Sequence, residues 1–251
     1  MKAISLEFYK FRHRRLFLMV TLFLLVEVAF LFMGISRSIS INPHNANWEA
    51  LIVMFASMNG LIFPILVSVC VSRICDTEHK GNTLKLLLTL SVNPGQIYAA
   101  KYICACILML WACTLQVLAI AVFGIVNGFE NSVPTSLLIW FFAGIYLTSM
   151  AVIALQLWIS MMWKNQAFAI SLGMIGGFIG MTADLMPTGI RGMFIWSYFS
   201  KLSPVAQSFK SEKLDFIVRD IHALLPMMLI VIVAGSILYL VGNFHLSRKE
   251  V

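Results

Sequence analysis

Long apolar runs alternate with short polar breaks along the whole chain. Six runs match the roughly 20 residues that a helix needs to cross a hydrocarbon core. They are Leu16–Ile35, Leu51–Val71, Tyr102–Val126, Ser136–Trp163, Ala167–Met186 and Leu224–Phe244. The runs are continuous rather than alternating, which selects helices over a β-barrel. The pattern predicts an all-α polytopic membrane protein of six transmembrane helices, one transmembrane domain over residues 1–251. Two polar breaks are long: a connector, residues 73–101, and a loop, residues 187–223.

Composition agrees. Hydrophobic residues make up 60% and charged residues 12% of the 251 residues, where a soluble domain carries about 25% charge. Mean hydropathy is +0.90. The net charge of +7 reflects topology rather than nucleic-acid binding, because most cations flank the spans on one side. With both termini inside, Lys2, Lys10, Arg12, Arg14, Arg15, Arg73, Lys80, Lys85, Lys101, Lys164, Arg248 and Lys249 are cytoplasmic. Arg37, Arg191, Lys201, Lys210, Lys213 and Arg219 are external, five of them in the long loop, which counts less. No cleavable signal peptide is expected, since the run after KFRHRR is too long for a signal core. The preceding segment LEFYKFRHRR mixes aromatic and basic residues; it is either an interfacial amphipathic helix or a plain positive flank. Cys70, Cys75, Cys104, Cys106 and Cys113 lie in spans or at the cytoplasmic face, so neither a disulfide framework nor a metal site is expected.

A few polar residues interrupt the spans. Glu27 sits near the middle of the first, where an ionisable group costs several kcal/mol unless paired, protonated or facing a polar cavity. It is either a hydrogen-bonded packing residue or a group lining a substrate or proton path. Asn59, Gln116 and Gln156 are its candidate partners. Pro64 predicts a bend, static or hinged, in the second span. In the fifth span Gly173 and Gly177, and Gly176 and Gly180, form overlapping GxxxG patterns. These let backbones approach closely, within one subunit or between two.

The long external loop is not simply hydrophilic. MFIWSYF (residues 193–199) is aromatic and suits the membrane interface, while SEKLDFIVRDIH (residues 211–222) carries Leu214, Ile217, Val218 and Ile221 at helical spacing. Two short re-entrant or interfacial helices are expected between the fifth and sixth spans.

The connector is the most suggestive stretch. Asp76, Thr77 and Glu78 follow the second span, Gly81 breaks the helix, and Asn82 or Thr83 caps a new one. Leu84, Leu87 and Leu88 share a face with Lys85 off it, Pro94-Gly95 reads as a turn, and Lys101 marks the next membrane boundary. Such a helix either docks in a groove of a soluble partner or lies in the headgroup layer. The chain has no phosphate-binding loop: KGNTLK lacks the second glycine and the Gly-Lys-Ser/Thr order. HExxH and GxSxG motifs are missing as well. No catalytic residues are expected, and energy for any work must come from a partner or an ion gradient.

The pattern Glu78, Gly81, Thr83, Leu87-Leu88, Pro94 and Lys101, downstream of Phe63-Pro64-Ile65-Leu66, resembles the connector of type-2 ABC exporter permeases. Within these the chain is most similar to the lantibiotic-immunity permeases of Gram-positive bacteria. The resemblance implies that residues 78–90, including Leu84 and Leu88, form a cytoplasmic coupling helix seated in an ATP-binding cassette subunit. It further implies two such subunits, which bind the ATP and Mg, and a second permease chain, identical or related. No cofactor is implied for this chain. The expected role is export of an amphipathic or membrane-bound substrate, foremost an antimicrobial peptide, from a bacterial cell membrane. Two rivals are an ion-coupled transporter using Glu27 and a non-transporting anchor or sensor that recruits a soluble protein.

Overall fold

The computed structural model describes residues 15–42, 46–80, 94–129, 132–163, 165–210 and 213–248. Among these residues, five helices are long and apolar enough to cross a membrane. They are α1 (Leu16–Ile41), α2 (Trp48–Lys80), α3 (Pro94–Val126), α4 (Thr135–Met162) and α8 (Ile221–Ser247). The fifth apolar run forms α5 (Gln166–Met181), whose 16 residues rise only about 24 Å, short of a hydrocarbon core of about 30 Å. Against the six full-length spans expected, the described residues hold five long helices and one short one.

Contacts along the helices set their directions. Thr21, Glu27 and Phe32 of α1 meet Trp111, Gln116 and Phe123 of α3 in the same order, so these two run parallel. Gly235 and Gly242 of α8 pack on Ala151 and Trp158 of α4, again parallel. α2 runs antiparallel to α5, with Gly60 against Gly180 and Ser68 against Gly173. α1, α3 and α5 therefore point one way and α2, α4 and α8 the other.

Burial follows sequence spacing. α1 buries Leu16, Val20, Leu24, Glu27, Leu31 and Ile35, one residue every three or four, which is a single helical stripe. Its opposite face, including Leu18, Leu22, Leu25, Phe30 and Met33, is exposed. α8 likewise buries one stripe, Leu224, Met228, Val231, Gly235, Gly242 and Leu246. Both helices flank the bundle, and their open apolar faces suit lipid, which solvates leucine as well as another helix does. α2 is central, with Phe55, Phe63, Leu66 and Val67 fully buried, and it continues unbroken through Pro64.

The chain is helical as expected, but the stretch between α5 and α8 departs from the two short helices expected there. After a 3-10 turn (Ala183–Leu185) come α6 (Thr188–Arg191), a second 3-10 turn (Ile195–Ser197) and α7 (Tyr198–Lys201). An antiparallel hairpin follows, β1 (Val205–Lys210) with β2 (Lys213–Val218), in the register Val205↔Val218 to Lys210↔Lys213. The helix expected over residues 211–222 is therefore strand β2 followed by the start of α8. Leu214, Ile217, Val218 and Ile221 fit a helical face, but Leu214, Phe216 and Val218 also recur at period two, and the run ends in β-branched Ile217 and Val218. A partner strand supplying backbone hydrogen bonds decides between the two periods.

The aromatic run enters the bundle instead of lying on lipid. Trp196 seats on Gly176 of α5, Phe199 packs 5.6 Å from Phe63 of α2, and the Leu202 carbonyl meets Gly144 of α4. Gly60, which touches the end of α5, is twelve residues into α2, about 18 Å along its axis. The segment thus fills the space left by the short α5, in the half of the bundle away from the connector.

Candidate functional site

Three of the four polar residues singled out in the spans converge. Asn59 Nδ2 donates to Gln116 Oε1 at 3.0 Å, and Gln116 Nε2 donates back to Asn59 Oδ1 at 2.7 Å. Gln116 Nε2 also donates to Glu27 Oε1 at 3.1 Å. The trio ties α1, α2 and α3 together and is buried, Glu27 being 3% exposed and the two amides 0%. Glu27 falls on the inward stripe of α1, so helical geometry carries it toward the bundle. Phe32 closes one side, stacked on Phe123 at 4.1 Å and set edge-on to Phe55 at 5.9 Å. The paired amides largely satisfy one another, whereas Glu27 Oε2 is buried without a hydrogen-bond partner among the described residues. Such an atom is costly in an apolar medium. It is also the one acceptor of the trio available to a further donor.

Gln156 stands apart from this trio. In the amide orientation that its neighbours satisfy, it donates to Ala169 O at 3.1 Å and accepts from Gly173 N at 3.2 Å. It clasps α4 to the backbone of α5. The four glycines of α5 all meet this same chain. A Cβ on Gly177 would stand 2.6 Å from Leu61 O, Gly173 faces Ser68, Gly180 faces Gly60, and Gly176 carries Trp196. The GxxxG face is occupied by α2 and the re-entrant segment.

At the connector end the described residues frame the link without reaching its middle. Gly81, Thr83, Leu84, Leu87 and Leu88 lie outside the described residues, as does the expected N-terminal amphipathic helix before Arg15. Glu78 belongs to the last turn of α2. Pro94 is the first residue of α3 rather than part of a turn, a position where its missing N–H costs nothing and its fixed φ suits the helix. Pro94 thus differs from the expected turn, and Lys101 lies about two turns inside α3. It is fully buried and donates from Nζ to Ile74 O of α2 at 3.3 Å. On the other flank Tyr98 and Tyr102 of α3 donate to Ala154 O and Met150 O of α4. At this end α2 and α3 are thus a packed pair, with α4 hydrogen-bonded to it.

Two features gave little sequence signal. A cleft of about 480 Å³ opens between α3, α4 and α8, lined by Tyr102, Met150, Ala151, Gly235, Ser236 and Tyr239. Its walls are mostly aliphatic residues with two tyrosines, drawn from three distant runs, and nothing in their spacing marks them. The second is a polar cluster on the re-entrant segment. Arg191 pairs with Asp184, and its Nη2 donates to Ser200 Oγ at 3.0 Å. Ser200 Oγ in turn donates to Asp184 Oδ1 at 3.3 Å. Arg219 Nη1 gathers the carbonyls of Ser200, Lys201 and Ser203. Burial, with Arg191 adding repulsion, lowers the pKa of Arg219, and Asp184 partly offsets this.

A family model described as ABC-2 family transporter protein matches residues 3–180. No curated protein matches the chain. The matched stretch takes in α1 through α5, hence the buried trio, the connector and the glycine face.

Proposed function

Since the chain belongs to the ABC-2 family of transporter proteins, we propose that it is the permease of an ATP-driven exporter whose cargo is amphipathic or embedded in the membrane. The family match over residues 3–180 carries this reading. Permeases of this family work with an ATP-binding cassette subunit, and this chain is the membrane-embedded, transport part of such a machine. In the proposed assembly two cassette subunits bind ATP and Mg, and a second permease chain, identical or related, completes the path. Leu84, Leu87 and Leu88 seat in the cassette, while Glu78, Gly81, Thr83 and Pro94 shape the ends of the connector. ATP-driven closure then moves the connector and with it the joined α2–α3 pair. The termini and the connector are cytoplasmic, the re-entrant segment is external, and the host membrane is bacterial. α5 together with the re-entrant segment makes the sixth crossing.

The best-fitting cargo is a lantibiotic or similar antimicrobial peptide, expelled for immunity or resistance. The similarity of the connector to lantibiotic-immunity permeases supports this. A cleft of about 480 Å³ suits a few side chains or an acyl tail rather than a whole peptide, so the peptide would be carried between two permease chains.

The test is co-expression with candidate cassette ATPases from the same genome. Wild-type chain should co-purify with the ATPase and protect cells against the peptide. Leu87→Asp should lose both while the membrane bundle keeps its thermal midpoint. An ATPase that ignores Leu87→Asp would defeat the proposed docking face. A second reading, ion coupling through Glu27, is favoured by its unpartnered buried Oε2. It requires transport that continues without the ATPase and collapses in Glu27→Gln.

A further inference from the structure

The re-entrant segment gathers three cations around one carboxylate. Arg191 is 15% exposed and pairs with Asp184. Arg219 has no carboxylate partner among the described residues; its Nη1 is held by three backbone carbonyls. Lys201 has none either, its ammonium lying 4.9 Å over the Tyr198 ring. The neighbouring carboxylate of Asp220 accepts from His222 N and caps α8, and no ion pair joins it to Arg219 or Lys201 among the described residues. The cluster thus carries two positive charges more than it neutralises. Burial, followed by repulsion from Arg191 and Arg219, lowers the pKa of Lys201. Clustered cations normally spread apart on a free surface. Here the carbonyl clamp on Arg219 and the Tyr198 OH bond to Gly192 O at 3.1 Å hold them together.

Position indicates what neutralises the excess. Arg219 directly precedes the first turn of the membrane helix α8, and Lys201 ends α7 at the mouth of the bundle. The end of an apolar, membrane-length helix meets the headgroup layer, where phosphate is the abundant anion and guanidinium and ammonium groups are its usual ligands. We infer that Arg191, Lys201 and Arg219 form a phosphate-binding site, occupied by the headgroup of an anionic lipid in the leaflet next to the re-entrant segment. Lys201 supplies the free ammonium, Arg219 the second charge from a fixed frame, and Ser200 and Asp184 keep Arg191 in place. The site is independent of transport and of any ATPase.

The experiment uses the full chain in nanodiscs of phosphatidylcholine with or without phosphatidylglycerol. Lipids retained after extraction are counted by native mass spectrometry. Wild type should retain phosphatidylglycerol preferentially, and Lys201→Gln should cut that retention about five-fold, the worth of one basic residue near a charged surface. Lys201→Arg should preserve it, and thermal midpoints verify that both variants fold. In a parallel arm, inorganic phosphate is titrated calorimetrically into lipid-free detergent samples. Saturable phosphate binding lost in Lys201→Gln, with no lipid preference, supports the phosphate site and assigns it to a free anion. Absence of both lipid preference and phosphate binding, or equal retention by wild type and Lys201→Gln, overturns the inference.

Discussion

Gln116 reaches Glu27 across the α1–α3 contact, its Nε2 lying 3.1 Å from Glu27 Oε1 while the same amide group pairs with Asn59. A single side chain thereby joins three helices in the buried interior of the bundle. In lipid, a polar side chain gains little net stability from such a bond but loses much when left alone, because the rest of the bundle offers no substitute.

Removal of the central amide should therefore be worse than changing the acid. Gln116→Leu strands both Glu27 and Asn59 and should cost about 1–3 kcal/mol, read as a lower thermal midpoint in detergent. Glu27→Gln keeps an acceptor toward Gln116 and should change stability by less than about 1 kcal/mol. Should Glu27→Gln leave stability intact but abolish export, the acid has a role beyond joining helices.

Close backbone approach between α2 and α5 makes a second, independent test. A Cβ added at Gly60 would lie 2.6 Å from the carbonyl oxygen of Gly180, a backbone atom that cannot swing away. Gly60→Ala should destabilise by about 1–3 kcal/mol, the usual scale for overpacking. Gly34→Ala in α1 meets nothing within 4 Å and should be tolerated or slightly stabilising. Equal midpoints for the two variants would contradict the α2–α5 interface.

The lowered pKa of Lys201 has a signed consequence for pH dependence. The folded lysine binds its proton less tightly than the unfolded one. Its charging penalty is therefore fully present below the lowered folded pKa and fades as pH rises through that value toward the unfolded one. The groups facing it are Arg191 from α6, Arg219 beyond β2, the Tyr198 ring, and Asp184 through Arg191. In lipid-free detergent without phosphate, Lys201→Gln should raise the thermal midpoint near neutral pH. The gain should shrink in strongly alkaline buffer, and a gain that is constant across this range would rule out charge repulsion as its source.

What could be read in advance follows from the severity of the membrane as a solvent. Apolar runs near the length of a hydrocarbon core disclosed each of the long helices to within a few residues at most ends. The scarcity of polar groups drew attention to Glu27, Asn59, Gln116 and Gln156 at once. Their partnerships were not legible, because these depend on how each helix is rotated. Gln156 could equally have joined Glu27, and it instead clasps the α5 backbone. The glycine spacing announced a close contact without naming its partner, which is α2 of the same chain.

The stretch beyond α5 was the least legible. Residues 213–218 satisfy both a helical and a strand period, so only the pairing with residues 205–210 selects the strand. The inward path of Trp196 and Phe199 likewise depends on the vacancy left by a short α5 and on Gly176 and Phe63 to receive them. The aromatic run alone suggested an interface. Pro94 reads as a turn residue until the preceding helix geometry is known, and its place at the head of α3 then carries Lys101 into the α2–α3 contact. Residue type and spacing determine whether a segment can live in lipid, because transfer energy is a property of the segment. Which polar atoms meet, and which cations are crowded together, depends on neighbours brought from remote parts of the chain, and this is a property of the packed bundle alone.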